Sequence, residues 1–249
     1  MKRWCFLIRL RNIWYHDPCC SLHEGTSSLP RFDSLINRYK AAVERTAQQE
    51  LEKSSVDWLE QKAWLSAPIV YCDGAYDWNT GKAGVGIFWG PSDSRNLHLE
   101  VTGAKITNIR AEIQAVSLAI LQASSLKLQR ISIKTDCNFA VKVINLWLEK
   151  WRRNGWRKAA GGLIENVEDI KKLNERLQLL KVVLKVRIEH VYGHQKFDMR
   201  SILDEHWQEL PNEERDAYGN FHSDRLAQLG IDQPMMTDVE FELSIPAIK

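Results

Sequence analysis

The sequence predicts an α/β fold: a mixed five-stranded sheet flanked by helices, with a helical extension before it. Three observations carry that prediction. Three short apolar runs after Pro68 lie close together with turn residues between them and read as an antiparallel meander. Two later strand-like runs alternate with segments of helical periodicity, the pattern of parallel strands. Residues 35–64 are rich in helix formers and contain neither Gly nor Pro.

The elements follow in chain order. Residues 1–34 form a basic leader and linker. "MKRWCFLIRLRNIWYHDPCC" carries Lys2, Arg3, Arg9 and Arg11 with no acid before Asp17. That composition fits a mitochondrial presequence as well as an irregular basic leader, so nucleus, mitochondrion and cytoplasm stay open. "CCSLHEGTSSLPRFDS" is turn-rich and reads as a linker, and residues 35–66 as a helical extension. The main α/β domain is expected over 67–232, and 233–249 as a tail. Within it, "IVYCDG", "AGVGIFWG" and "NLHLEVTG" are the meander strands. "NIRAEIQAVSLAILQASSLKL" is a helix, "ISIKTD" a buried strand, and "FAVKVINLWLEKW" and "VEDIKKLNERLQLL" helices. "VVLKVRIEHVYG" is the last strand and "SDRLAQLG" opens a helix closed by Gly230. The polar run at about 196–220 reads as an insertion, partly helical around "SILDEHWQEL".

Composition excludes little by itself. The 249 residues carry a net charge of +2, too small to announce a nucleic-acid partner. The five cysteines show no C-x-x-C pair, which fits a reducing compartment and no structural zinc. No apolar run is long enough to cross a bilayer.

Four acids fall where strand ends and a helix start meet. Asp73 ends the first strand, Asp136 ends the fourth, Glu112 lies in the first turn of the helix after the meander, and Asp224 begins the last helix. In α/β sheets the carboxyl ends of parallel strands share one edge, where sites lie. Four carboxylates there repel one another unless cations join them, and Mg²⁺, a hard ion taking oxygen ligands, suits such a cluster. Two such ions about 4 Å apart clamp a phosphodiester. Each acid also has a plain structural reading: Asp136 as an N-cap, Asp224 as a helix-start charge, Asp73 as half of an Asp-Gly turn, Glu112 as a solvated side chain.

"CDGAY", "TNIRAEIQA", "KTDCNFAV", "VYGHQ" and "HSDRLA", in this order, resemble ribonuclease H of the type 1 class over roughly residues 68–230. The resemblance implies a ribonuclease H-like sheet and an endonuclease that hydrolyses the RNA strand of RNA–DNA hybrids, leaving 5′-phosphate and 3′-hydroxyl ends. It implies Asp73, Glu112, Asp136 and Asp224 as catalytic, metal-holding carboxylates and His194 as a mobile catalytic histidine. It implies two Mg²⁺ ions, with Mn²⁺ as a substitute, a hybrid partner and no membrane; a monomer is expected. Asn79 and Asn108 match RNA-contacting positions; Lys105, Thr107, Phe139, Trp147, Trp151 and Asn166 match DNA-contacting ones. Lys150, Arg152, Arg153, Trp156, Arg157 and Lys158 match the basic protrusion. Basic side chains interleaved with aromatics suit phosphate and sugar contact, although a Trp pair at helical spacing is normally core. Two departures stand out: Ile109 where glutamine is usual, and Lys105 where arginine is usual. Two alternatives share the fold: a non-catalytic hybrid-binding protein, and another nuclease or integrase-like enzyme.

Overall fold

The computed structural model describes residues 30–103, 105–193 and 204–233. The basic leader up to residue 29, His194 and the tail from residue 234 lie outside the described residues. The chain divides into two units, Met1–Leu59 and Glu60–Lys249.

In the first unit begins α1, Pro30–Leu65, which ends in the second. It starts ahead of the Leu35 expected from composition. Proline is tolerated at the first helical position because its missing N–H would be unpaired there anyway.

The second unit holds the sheet. Its strands are β1 (Ile69–Tyr76), β2 (Ala83–Phe88), β3 (Leu97–Glu100), β4 (Arg130–Thr135) and β5 (Lys185–His190), in the spatial order β3-β2-β1-β4-β5. The first three pair antiparallel, as the turn residues between them dictate. β4 and β5 join in parallel, each after a helical crossover. The helices are α2 (Asn108–Ser125), α3 (Asn138–Lys142), α4 (Leu148–Arg153), α5 (Val167–Leu180) and α6 (Asn212–Ile231). A π-helical turn, Val143–Trp147, joins α3 to α4, and a 3₁₀ turn, Asp204–Glu209, precedes α6.

Alternation along β1 sends Val70 and Cys72 to one face and Tyr71 to the other. The first face meets the apolar side of α2, where Ala111, Ala115, Leu118 and Ala119 are fully buried, and carries the main core. Burying each large aliphatic side chain there stabilises the fold by about 1.5–3 kcal/mol. The second face carries a smaller aromatic cluster of Tyr71, Phe88, Trp207 and Tyr218 beneath α6.

α6 is the main departure from expectation. It starts at Asn212, not at Ser223, so Asp224 sits within the helix and not at its beginning. The last part of the stretch read as an insertion, from Asn212, is therefore helix packed on the sheet: Ala217, Tyr218, Gly219 and Asn220 are all buried. Gly219 masks the helical signal, since glycine is a poor helix former. It is needed there because a Cβ would lie 2.4 Å from the Tyr71 ring.

Candidate active site

β1 supplies the first acid. Its parallel ladder with β4 stops at Tyr71, opposite Lys134, while its antiparallel ladder with β2 runs on past Asp73, opposite Gly86. Asp73 is thus inside its strand and not at its end. One side of it is paired and the other faces the opening beyond β4. Asp136 follows β4 directly and enters that opening. Its reading as an N-cap fails: Cys137 occupies the cap of α3, and the Asp136 carboxylate instead accepts a hydrogen bond from Asn220 Nδ2 at 3.2 Å.

α2 supplies the third acid. Thr107 caps it, its Oγ1 accepting the Arg110 N–H at 3.1 Å. The first turn carries no acid, so Glu112 lies deeper than expected, on the face against β1. Gly74 makes that approach possible. A Cβ on Gly74 would stand 2.5 Å from the Glu112 nitrogen and 2.6 Å from the Ala111 carbonyl carbon. Glycine beside Asp73 therefore lets the α2 backbone come close enough to bring Glu112 alongside.

Carboxylate oxygens of Asp73, Glu112 and Asp136 lie within 4.8 Å of one another. Asp73 and Glu112 are each 6% exposed. Burial, then the charges of Asp136 and Asp224, push Asp73 up to about 8, against one hydrogen bond from the Gly74 N–H. Burial, then the charges of Asp73 and Asp136 and more weakly Asp224, push Glu112 well above the usual carboxylate range. Glu112 Oε2 is buried and has no hydrogen-bond partner among the described residues. An all-oxygen donor set, mutual repulsion and an orphaned buried oxygen together fit a hard divalent cation, which would offset the repulsion and give the orphaned oxygen a partner.

Asp224 stands outside this group of three. Its oxygens accept Gln228 Nε2 at 3.2 and 3.0 Å, one turn along its own helix. Its charge still reaches Asp73 and Glu112. Asn220, one turn before Asp224, is 4% exposed and touches Asp136, yet sequence reading missed it. The spacing of four was visible, but it has meaning only once the helix is known to extend that far.

The substrate-type residues separate into groups. Thr107 Oγ1 and Asn166 Oδ1 are 3.2 Å apart, and the charge of Lys105 reaches Glu165 beside them. Asn108 is exposed at the start of α2, and Asn79 is exposed in a tight turn where its N–H donates to Asp77 Oδ1 at 2.9 Å. Thr107 is a cap and Asn79 a turn residue, whatever else they contact. Phe139, Trp147 and Trp151 form a ring ladder with centroids 5.7 and 5.3 Å apart. Their inner sides pack on the main core. Trp147 and Trp151 also wall an open cleft of ≈ 180 Å³ with Lys150, Asn154, Arg157 and Ala159. Trp156 packs on the core in a left-handed backbone conformation. Arg152 and Arg153 pair with Glu149, and Lys158 pairs with Glu165. Lys150 and Arg157 have no carboxylate partner among the described residues.

A family model described as RNase H matches residues 66–231, the span of the sheet and its helices. The chain belongs to the RNase H family. Ribonuclease H1 of Mus musculus is 33% identical over 168 residues, covering 66% of this chain and 50% of that protein. Ribonuclease H of Schizosaccharomyces pombe is 30% identical over 171 residues, 66% of this chain and 63% of that one. Ribonuclease H of Acidovorax sp. is 30% identical over 173 residues, 68% of this chain and 97% of its own length. This RNase H-family chain thus spans about half the length of its mammalian relatives. Among solved structures, the solution structure of the PFV RNase H domain matches with TM-score 0.46 at 22% identity, covering 66% of this chain and 93% of that one. The foamy viral protease-reverse transcriptase in complex with RNA/DNA hybrid matches with TM-score 0.47 at 22% identity, covering 67% of this chain and 20% of that one.

Proposed function

We propose that this chain is a metal-dependent endonuclease that hydrolyses the RNA strand of RNA–DNA hybrids, giving 5′-phosphate and 3′-hydroxyl ends. The observation that carries the reading is the trio of buried Asp73 and Glu112 with half-buried Asp136, whose oxygens lie within 4.8 Å of one another. Membership of the RNase H family and the ribonuclease H activity named for its relatives support it.

Asp73, Glu112 and Asp136 would hold Mg²⁺, with Asp224 completing the set, and Mn²⁺ would substitute. When bound, the ions supply Lewis acidity to the scissile phosphodiester and to the attacking water. The protein's own groups do the rest. Burial of Asp73 and Glu112 keeps bulk water from competing for their oxygens. Asn220 fixes the rotamer of Asp136 through its amide. His194 would move protons, since imidazole titrates near neutral pH. Asn79 and Asn108 would read the RNA 2′-hydroxyls through the minor groove, the handle that separates a hybrid from duplex DNA. The aromatic ladder of Phe139, Trp147 and Trp151, with Lys150 and Arg157 beside it, would seat the DNA strand.

The test is a hybrid labelled on either strand and closed at its ends. Internal cuts in the RNA strand, dependent on Mg²⁺, are expected; binding without cutting, or cutting seen only on the same hybrid with open ends, would select one of the two alternatives. Asp136→Asn is expected to abolish cleavage while leaving hybrid affinity, measured by fluorescence anisotropy, near the parent value. A variant that still cut at the parent rate would remove Asp136 from the mechanism.

A further inference from the structure

We propose that Asp216 is a positioning residue that sets the register of α6 against β1, which carries Asp73, and β4, which leads into Asp136. The proposal rests on the nuclease reading above.

The Asp216 carboxylate accepts Tyr71 Oη at 2.8 Å and Lys134 Nζ at 2.9 and 2.8 Å. Tyr71 and Lys134 are register partners across the parallel ladder of β1 and β4. Tyr71 stands two residues before Asp73, and Lys134 two residues before Asp136. One carboxylate on α6 therefore ties together the last paired step before the two strands part around the acids.

The same helix carries that tie to the site. Asp216, Asn220 and Asp224 follow one another at intervals of four and run along one side of α6. Asn220 donates to Asp136, and the charge of Asp224 reaches Asp73 and Glu112. A helix rises a fixed 1.5 Å per residue. Anchoring Asp216 therefore fixes where Asn220 and Asp224 stand. Gly219, Ser223 and Ala227 are small and let α6 lie close on the sheet, while Tyr218 and Leu226 pack into the non-directional aromatic cluster. The Asp216–Lys134 pair adds a directional tie to the step where β1 and β4 part. Its side chains are 21% and 12% exposed, so solvent and salt screen it little.

Asp216→Asn keeps the shape and removes the charge. Expected are a fall in kcat of about ten-fold with KM for hybrid unchanged, since small misplacements of reacting groups cost that much or more. Mn²⁺ binding to the substrate-free protein, measured by calorimetry, is expected to weaken as well, and Asp216→Glu to recover part of both. Should Asp216→Asn not fold, Tyr71→Phe removes one bond of the same tie and is read in the same way. Leu173→Ala, a destabilised control in the main core, is expected to keep parent kcat below its melting temperature. An Asp216→Asn protein with a lowered Tm but parent kcat and parent Mn²⁺ affinity would overturn the proposal and leave Asp216 a purely structural ion pair. If the parent protein itself fails to cut hybrid, the functional reading falls. The calorimetry still decides whether Asp216 positions the ion-binding acids.

Discussion

Asp73 concentrates the chemistry of this site at the scale of one residue. Burial and neighbouring carboxylates raise it from an ordinary value of 3.8 to about 8 in the folded, ion-free protein. The folded state thus holds a proton that the unfolded chain releases near pH 4. The resulting stabilisation is fully present below that value and is lost as pH rises towards 8. In chelator, the melting temperature should fall across this window, and Asp73→Asn should flatten the fall. Added Mg²⁺ should raise the melting temperature most at the alkaline end, where the carboxylates are charged and bind the ion best. Superimposable parent and variant profiles would show that Asp73 does not carry the linkage. The residue types needed here were legible early: Asp73, Glu112 and Asp136 are acids close to strand ends and a helix start, although Asp73 lies inside β1 and Glu112 beyond the first turn of α2. Asn220 was not legible, because an amide between "YG" and "FH" carries no signal of its own.

At the scale of elements, the site depends on how closely α2 can approach β1. Gly74→Ala would place a methyl 2.5 Å from the Glu112 nitrogen, with backbone on the facing side that cannot yield easily. Overpacking of this kind costs about 1–3 kcal/mol. Urea unfolding of Gly74→Ala is expected to show a loss in that range, with cleavage reduced further because Glu112 is pushed from Asp73. An unchanged midpoint and unchanged turnover would mean that the two backbones have room to part. Strands and most helices were legible at this scale, since period-two and helical patterns are local. α6 was the exception. Near its middle it carries Gly219 and Asn220, whose weak propensity is overridden by burial against Tyr71 and by the bond to Asp136.

At the scale of the whole molecule, the sheet and all the described candidate residues fall within Glu60–Lys249. Removing residues 1–59 is therefore expected to leave kcat on a short hybrid unchanged, measured by the rate of RNA-strand cleavage at saturating Mg²⁺. A large drop would give the first unit a part in catalysis. The sequence by itself determined the α/β class, the order of strands and helices, and the residue types that make an acidic site. Those follow from local periodicity and from chemistry that tolerates few substitutes. Only the tertiary structure decided that three of the four acids share one cluster, that Asp224 turns along its own helix to Gln228, and that α6 starts at Asn212. These outcomes hang on contacts between residues far apart in the chain, such as Tyr71 with Asp216, and no local pattern encodes a contact across 145 positions.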